Sequence, residues 1–122
     1  MKLGVISDTH GSVKAWRAAM AGPLGGVDFL LHAGDFLYHG PRNPLPEQYS
    51  PRELAELINS SRVPILAARG NCDADIDQVL VKWPLQPQYA VAQFGDVRVI
   101  VSHGRRYRPA RTARGNSHPF GE

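Results

Sequence analysis

Four short apolar runs in this chain each stop at a residue able to hold a metal. Leu3-Gly4-Val5-Ile6 leads to Asp8-Thr9-His10, and Val27–His32 leads to Gly34-Asp35. Val63–Ala68 leads to Arg69-Gly70-Asn71, and Val97–Val101 leads to Ser102-His103-Gly104. Short, β-branched apolar runs bounded by glycine or polar residues are the pattern of buried strands. A chain that repeats this pattern with helical segments between the runs is constrained to a mostly parallel sheet. In such sheets ligands bind beyond the C-terminal strand ends. Every candidate ligand lies at such an end.

The connecting segments fit that reading. Gly11-Ser12 opens a helix over about Val13–Met20 with Ser12 as N-cap, and Ala21-Gly22-Pro23 stops it. Ser50-Pro51-Arg52-Glu53 is a helix start: Ser50 can cap, Pro51 suits the first turn, and Glu53 completes a capping box. Leu54, Leu57 and Ile58 then share one face. Phe36–Tyr49 carries three prolines and one glycine and reads as a loop. Asp75–Val79 reads as a short helix. Tyr89–Phe94 and Val97–Val101 form a hairpin across Gly95-Asp96. The order is β-α-β-α-β followed by a β-hairpin, an α/β class.

Charge separates the chain into two parts. Residues 105–122 hold five arginines and one acid, whereas residues 1–104 hold nine basic and ten acidic residues. The overall charge of +3 is therefore a property of the C-terminal segment. That segment has no periodicity and reads as a basic, disordered tail. Tyr107 and Phe120 are its only aromatics, which ranks nucleic-acid binding low. No run of 18 apolar residues predicts a membrane span. The N-terminus lacks a signal-peptide pattern, and the single cysteine, Cys72, fits a reducing cytosol. These features predict a cytoplasmic protein.

Asp8, His10, Asp35, Asn71 and His103 together supply the mixed oxygen and imidazole donors that ions such as Mn²⁺ and Fe²⁺ take. Each motif has a plainer reading alone. Asp35 could be a turn or N-cap residue, His103 a strand-end histidine satisfied locally, and Asn71 a turn former after Gly70. Four motifs in order, each at a strand end, favour one metal centre. In two-metal hydrolases the ions sit roughly 3.5–4 Å apart and clamp the attacking and leaving oxygens of a phosphoryl group. One carboxylate must bridge them, and Asp35 is the candidate. A hydroxide held between the two ions is the expected nucleophile.

The remaining histidines and tryptophans read differently. His32, within the second strand, reads as structural. His39 and Arg42 could face a substrate phosphate or simply pack the loop. Trp16 and Trp83 read as core or rim aromatics. His118, in Ser117-His118-Pro119, has no strand-end context and is not assigned as a ligand.

The set Asp8-Thr9-His10, Gly34-Asp35, Gly70-Asn71-Cys72-Asp73 and His103-Gly104 resembles the calcineurin-like metallophosphoesterases, and within them a small bacterial phosphodiesterase subgroup. The stretch Gly34–Asn43 and the run Arg69–Asp73 carry the narrower likeness. The resemblance covers about residues 1–104, read as the N-terminal part of a metallophosphoesterase domain. It implies a β-sandwich flanked by helices, two metals, commonly manganese, and hydrolysis of a small phosphodiester. Asp8 and His10 would bind the first metal, Asp35 would bridge, and Asn71 and His103 would bind the second. Many relatives have histidine after the asparagine, where it can protonate the leaving group. Cys72 stands there instead and takes no catalytic part in this reading. Asp73 could orient a neighbouring ligand, or could cap the helix that follows. The family's late G-H-x-H motif is absent from this sequence, so the C-terminal strands are expected to be missing. The alternative expectation is thus a truncated, non-catalytic remnant with an incomplete metal site. The sequence is compatible with a homo-oligomer.

Overall fold

The computed structural model describes residues 1–40, 44–87 and 89–104. Arg42, His118 and the basic tail at 105–122 lie outside the described residues.

Four strands form a parallel sheet in the order β1-β2-β3-β4: Leu3–Ile6, Phe29–His32, Ile65–Ala68 and Leu85–Gln86. Leu3 pairs with Phe29 and Ile6 with His32, so β1 and β2 end level. Ala67 pairs with Leu85 in β3 and β4. β4 is not visible in the sequence pattern, because it is two residues long between Pro84 and Pro87. Strands β5 (Ala90–Phe94) and β6 (Val97–Val101) form the expected antiparallel hairpin.

Alternate residues of β2 and β3 serve opposite faces, as strand geometry requires. Leu30, Ile65 and Ala67 face the helices and join Val13, Trp16, Leu54 and Ile58 in one core. Leu31 and Ala68 face the hairpin and join Ala90 and Val101 in a second. The result is a two-sheet sandwich with helices on one face. Trp16 is buried in the first core, and Trp83 packs at its edge.

Helix α1 spans Val13–Ala21, and the Ser12 side chain accepts the Ala15 N–H as predicted. Helix α2 spans Pro51–Asn59, with the Ser50 side chain accepting from Glu53 N. The reciprocal half of the capping box does not form. The Ser50 N–H donates to the Gly11 carbonyl at 2.9 Å, and the Glu53 carboxylate pairs with Arg17 at 3.2 Å. A tertiary bond to the loop after β1 has displaced a local one. The short helix α3 spans Asp77–Leu80, two residues later than its prediction at the start. Among the described residues no helix is long and apolar enough to cross a membrane.

Candidate metal centre

The loops that follow β1 and β2 are stitched together by backbone bonds. Asp8 N–H donates to Gly34 O at 2.9 Å, His10 N–H to Asp35 O at 3.0 Å, and Gly11 N–H to Phe36 O at 2.8 Å. This pairing turns Asp8, His10 and Asp35 into the left-handed region, with φ of 56°, 45° and 60°. Aspartate and histidine tolerate that region better than most residues, yet three together still store strain. The strain is compensated by the bonds around it and aims all three side chains to one side.

They meet His103, delivered by the end of β6. His10 Nε2 lies 3.1 Å from Asp8 Oδ1 and 3.6 Å from Asp35 Oδ2. His103 Nε2 lies 3.2 Å from Asp35 Oδ2 and 3.9 Å from Asp8 Oδ1. Both imidazoles are oriented from behind by a main-chain carbonyl. His10 Nδ1 bonds Tyr38 O at 2.8 Å, and His103 Nδ1 bonds Ala33 O at 2.9 Å. With Nδ1 engaged by a carbonyl, each ring turns Nε2 toward the cluster, the usual way to orient a metal-binding histidine.

Two triads of donor atoms result, each with its members within 4.8 Å of one another: His10, Asp35 and Cys72, and Asp8, Asp35 and His103. Asp35 belongs to both and is 3% exposed. Its Oδ1 accepts the Cys72 N–H at 2.8 Å. Asn71 sits exposed at the turn after Gly70, with its side-chain amide 3.8 Å from Cys72 Sγ. The sequence did not mark Cys72 as a neighbour of His10 and Asp35. The only signal was its place after Asn71.

Asp73 is buried, and its carboxylate does not cap α3. Oδ2 accepts the N–H groups of Asp35 and Gly70, both at 2.8 Å, and Oδ1 accepts that of Phe36 at 2.7 Å. One carboxylate thus joins the β2 loop to the β3 loop. His39 packs edge-on against Tyr38 and Tyr49, at 4.9 and 5.2 Å between ring centres.

The electrostatics match the geometry. Burial opposes ionisation of Asp8, but the Ser7 hydroxyl, His103 and His10 outweigh it and hold its pKa below the ordinary value. Burial likewise works against charge on His10, yet the Tyr38 carbonyl, Asp8 and Asp35 raise its pKa. Burial, then the Asp35 charge, pushes the Cys72 thiol up, so it stays protonated at neutral pH. An open cavity of about 390 Å³, lined by Val5, Ser7, Asp8, Ala33, Ser102, His103 and Gly104, adjoins the cluster.

The profile of the calcineurin-like phosphoesterase superfamily domain matches residues 1–119, and the chain belongs to that family. Within it, the chain is similar to phosphodiesterase YfcE of Escherichia coli K12, with 38% identity over 110 residues, 89% of this chain and 60% of the relative. A solved structure described as YfcE, a phosphoesterase from E. coli, superposes with a TM-score of 0.77 at 37% identity, covering 86% of this chain and 58% of that one. A protein of unknown function from Aquifex aeolicus shares the fold, with a TM-score of 0.52 at 18% identity, over 92% of this chain and 63% of that one. The chain thus spans about three fifths of the length of the curated relatives it matches.

Proposed function

We propose that this chain carries the metal centre of a dinuclear, metal-dependent phosphodiesterase acting on a small phosphodiester. The observation that carries the reading is Asp35, a buried carboxylate shared by two triads of donor atoms. The donor set fits divalent ions: carboxylate oxygens and imidazole nitrogens, with both imidazoles tied back through Nδ1. Asp8 and His10 would hold one ion, Asp35 would bridge, and Asn71 and His103 would hold the other, although the triads of donor atoms group Asp8 with His103 and His10 with Cys72. Manganese suits this mixture of donors. The relatives' printed names, phosphodiesterase and phosphoesterase, support the same chemistry.

Bound divalent ions supply Lewis acidity toward phosphoryl oxygens and lower the pKa of water. The chain's own residues do the rest. The Tyr38 and Ala33 carbonyls keep His10 and His103 aimed inward. Asp73 orients Asp35 by holding its backbone N–H. The Cys72 thiol, protonated and beside Asp35, is a weak acid and takes no proton-transfer role. His39 and Arg42 are assigned to the approach of substrate phosphate. The working site is cytoplasmic, and neither nucleic acid nor membrane is a partner.

A second reading is a metal-binding form without turnover. It is favoured by the donor count: among the described residues each triad of histidine, aspartate and cysteine donors offers three side-chain ligands, fewer than the six of an octahedral ion.

The two readings separate in one assay. Purified chain with Mn²⁺ is offered a nitrophenyl phosphodiester beside an Asp35→Asn control. Metal-dependent turnover that vanishes in the control supports the phosphodiesterase. Mn²⁺ binding without turnover supports the second reading, and no binding at all overturns both.

A further inference from the structure

His32 is fully buried and belongs to no ligand set. It lies at the end of β2 with its ring stacked on Phe36, 3.5 Å between centres and 14° between planes. Both ring nitrogens are engaged. The Gly34 N–H donates to Nδ1 at 3.0 Å, and Nε2 lies 3.2 Å from Thr9 Oγ1. Thr9 Oγ1 spends its own proton on the Phe36 carbonyl at 2.9 Å.

These contacts leave one arrangement of protons. An Nδ1–H would face the Gly34 N–H, donor against donor. Nδ1 is therefore bare, and the ring proton sits on Nε2, donated to a Thr9 oxygen whose own hydrogen points elsewhere. Burial holds the pKa near 3, so the ring carries this single proton and is neutral.

Thr9 is the residue between Asp8 and His10, both in the left-handed region. Gly34, on the other side of the ring, accepts the Asp8 N–H with its carbonyl. The ring thus spans the two strained loops from beneath.

We propose that His32 is a positioning residue of the metal centre: its Nε2–H tautomer, fixed by Gly34, pins Thr9 and through it holds Asp8 and His10 toward the ion. The inference rests on the metal-centre reading above. The role is specific to hydrogen bonding. An apolar side chain of similar bulk would fill the space and leave Thr9 and the Gly34 N–H without their partner.

The test uses the full chain and Mn²⁺ alone, with free Mn²⁺ read from its paramagnetic signal. Thr9→Val keeps the shape and removes the acceptor; it is expected to weaken Mn²⁺ binding about tenfold, the low end of the range for losing a partner directly behind a ligand. Thr9→Ser, which keeps the hydroxyl, is expected to recover most of the affinity. The double variant Thr9→Val with His32→Leu should lose little beyond His32→Leu, because both changes break the same link. Urea unfolding of each variant separates a lost link from a lost fold. If the unmodified chain binds no Mn²⁺, the metal-centre reading falls and the inference with it. If it binds, and folded Thr9→Val binds equally well, the inference alone is overturned. Nitrogen-15 NMR of the unmodified chain checks the tautomer directly, and a proton found on Nδ1 of His32 also overturns it.

Discussion

The carboxylate of Asp73 accepts the backbone N–H of Asp35 at 2.8 Å, across 38 residues of chain. The same oxygen accepts from Gly70, and its companion oxygen accepts from Phe36. A residue outside the ligand triads therefore sets the backbone of the one carboxylate common to both.

Asp73→Ala should leave three buried N–H groups without an acceptor. Each costs about 1–3 kcal/mol when unsatisfied, so the variant should lose at least about 3 kcal/mol in urea unfolding. Asp75→Ala is the control. Its side chain is 94% exposed and pairs only with Arg69 at 2.7 Å among the contacts described, so its removal should cost no more than about 1 kcal/mol. Equal losses in the two variants would refute the role given to Asp73.

Gly70→Ala tests how closely the loops must approach. A Cβ at Gly70 would run into the Asp35 carboxylate and backbone nitrogen. Neither is the free end of a flexible side chain. The expected result is a loss of about 1–3 kcal/mol together with weakened Mn²⁺ binding. A variant as stable and as tight as the parent would show that the β2 and β3 loops need not touch.

His32 makes stability depend on pH in a predictable direction. Burial lowers its pKa from 6.5 to about 3 in the folded chain. A depressed pKa contributes stability that is complete above pH 6.5 and is lost as the pH falls toward 3. The full span corresponds to roughly 5 kcal/mol. Urea midpoints should therefore fall between pH 6.5 and 4 in the parent and fall less steeply in His32→Gln, which has no titrating ring. Parallel slopes would remove His32 from the account.

Mn²⁺ should raise the thermal midpoint of the folded chain. Binding to the native state alone adds about 2.7 kcal/mol when the free ion is at 100 times its Kd. Asp35→Asn should abolish most of that gain, because Asp35 serves both triads. A gain that survives the substitution would place the ion elsewhere.

Much of the fold was legible as alternation. Apolar runs at Leu3–Ile6, Val27–His32 and Val63–Ala68 became parallel strands, and Ser12 and Ser50 cap the helices assigned to them. These are local signals, carried by neighbours within a few residues. β4 was missed because two residues between prolines carry no period. The Glu53 half of the capping box failed because Gly11, 39 residues away, claimed the Ser50 N–H.

By itself the sequence determined that Asp8, His10, Asp35, Asn71 and His103 stand at or just beyond the ends of strands, since strand length and loop punctuation are written locally. Only the tertiary structure decided how they face one another. The left-handed turns at Asp8, His10 and Asp35, the carbonyls behind His10 and His103, and the clamp from Asp73 all arise between loops distant in the chain. The physical reason is that a hydrogen bond's direction depends on where both partners lie. For these bonds between loops the partners are 25 to 70 residues apart.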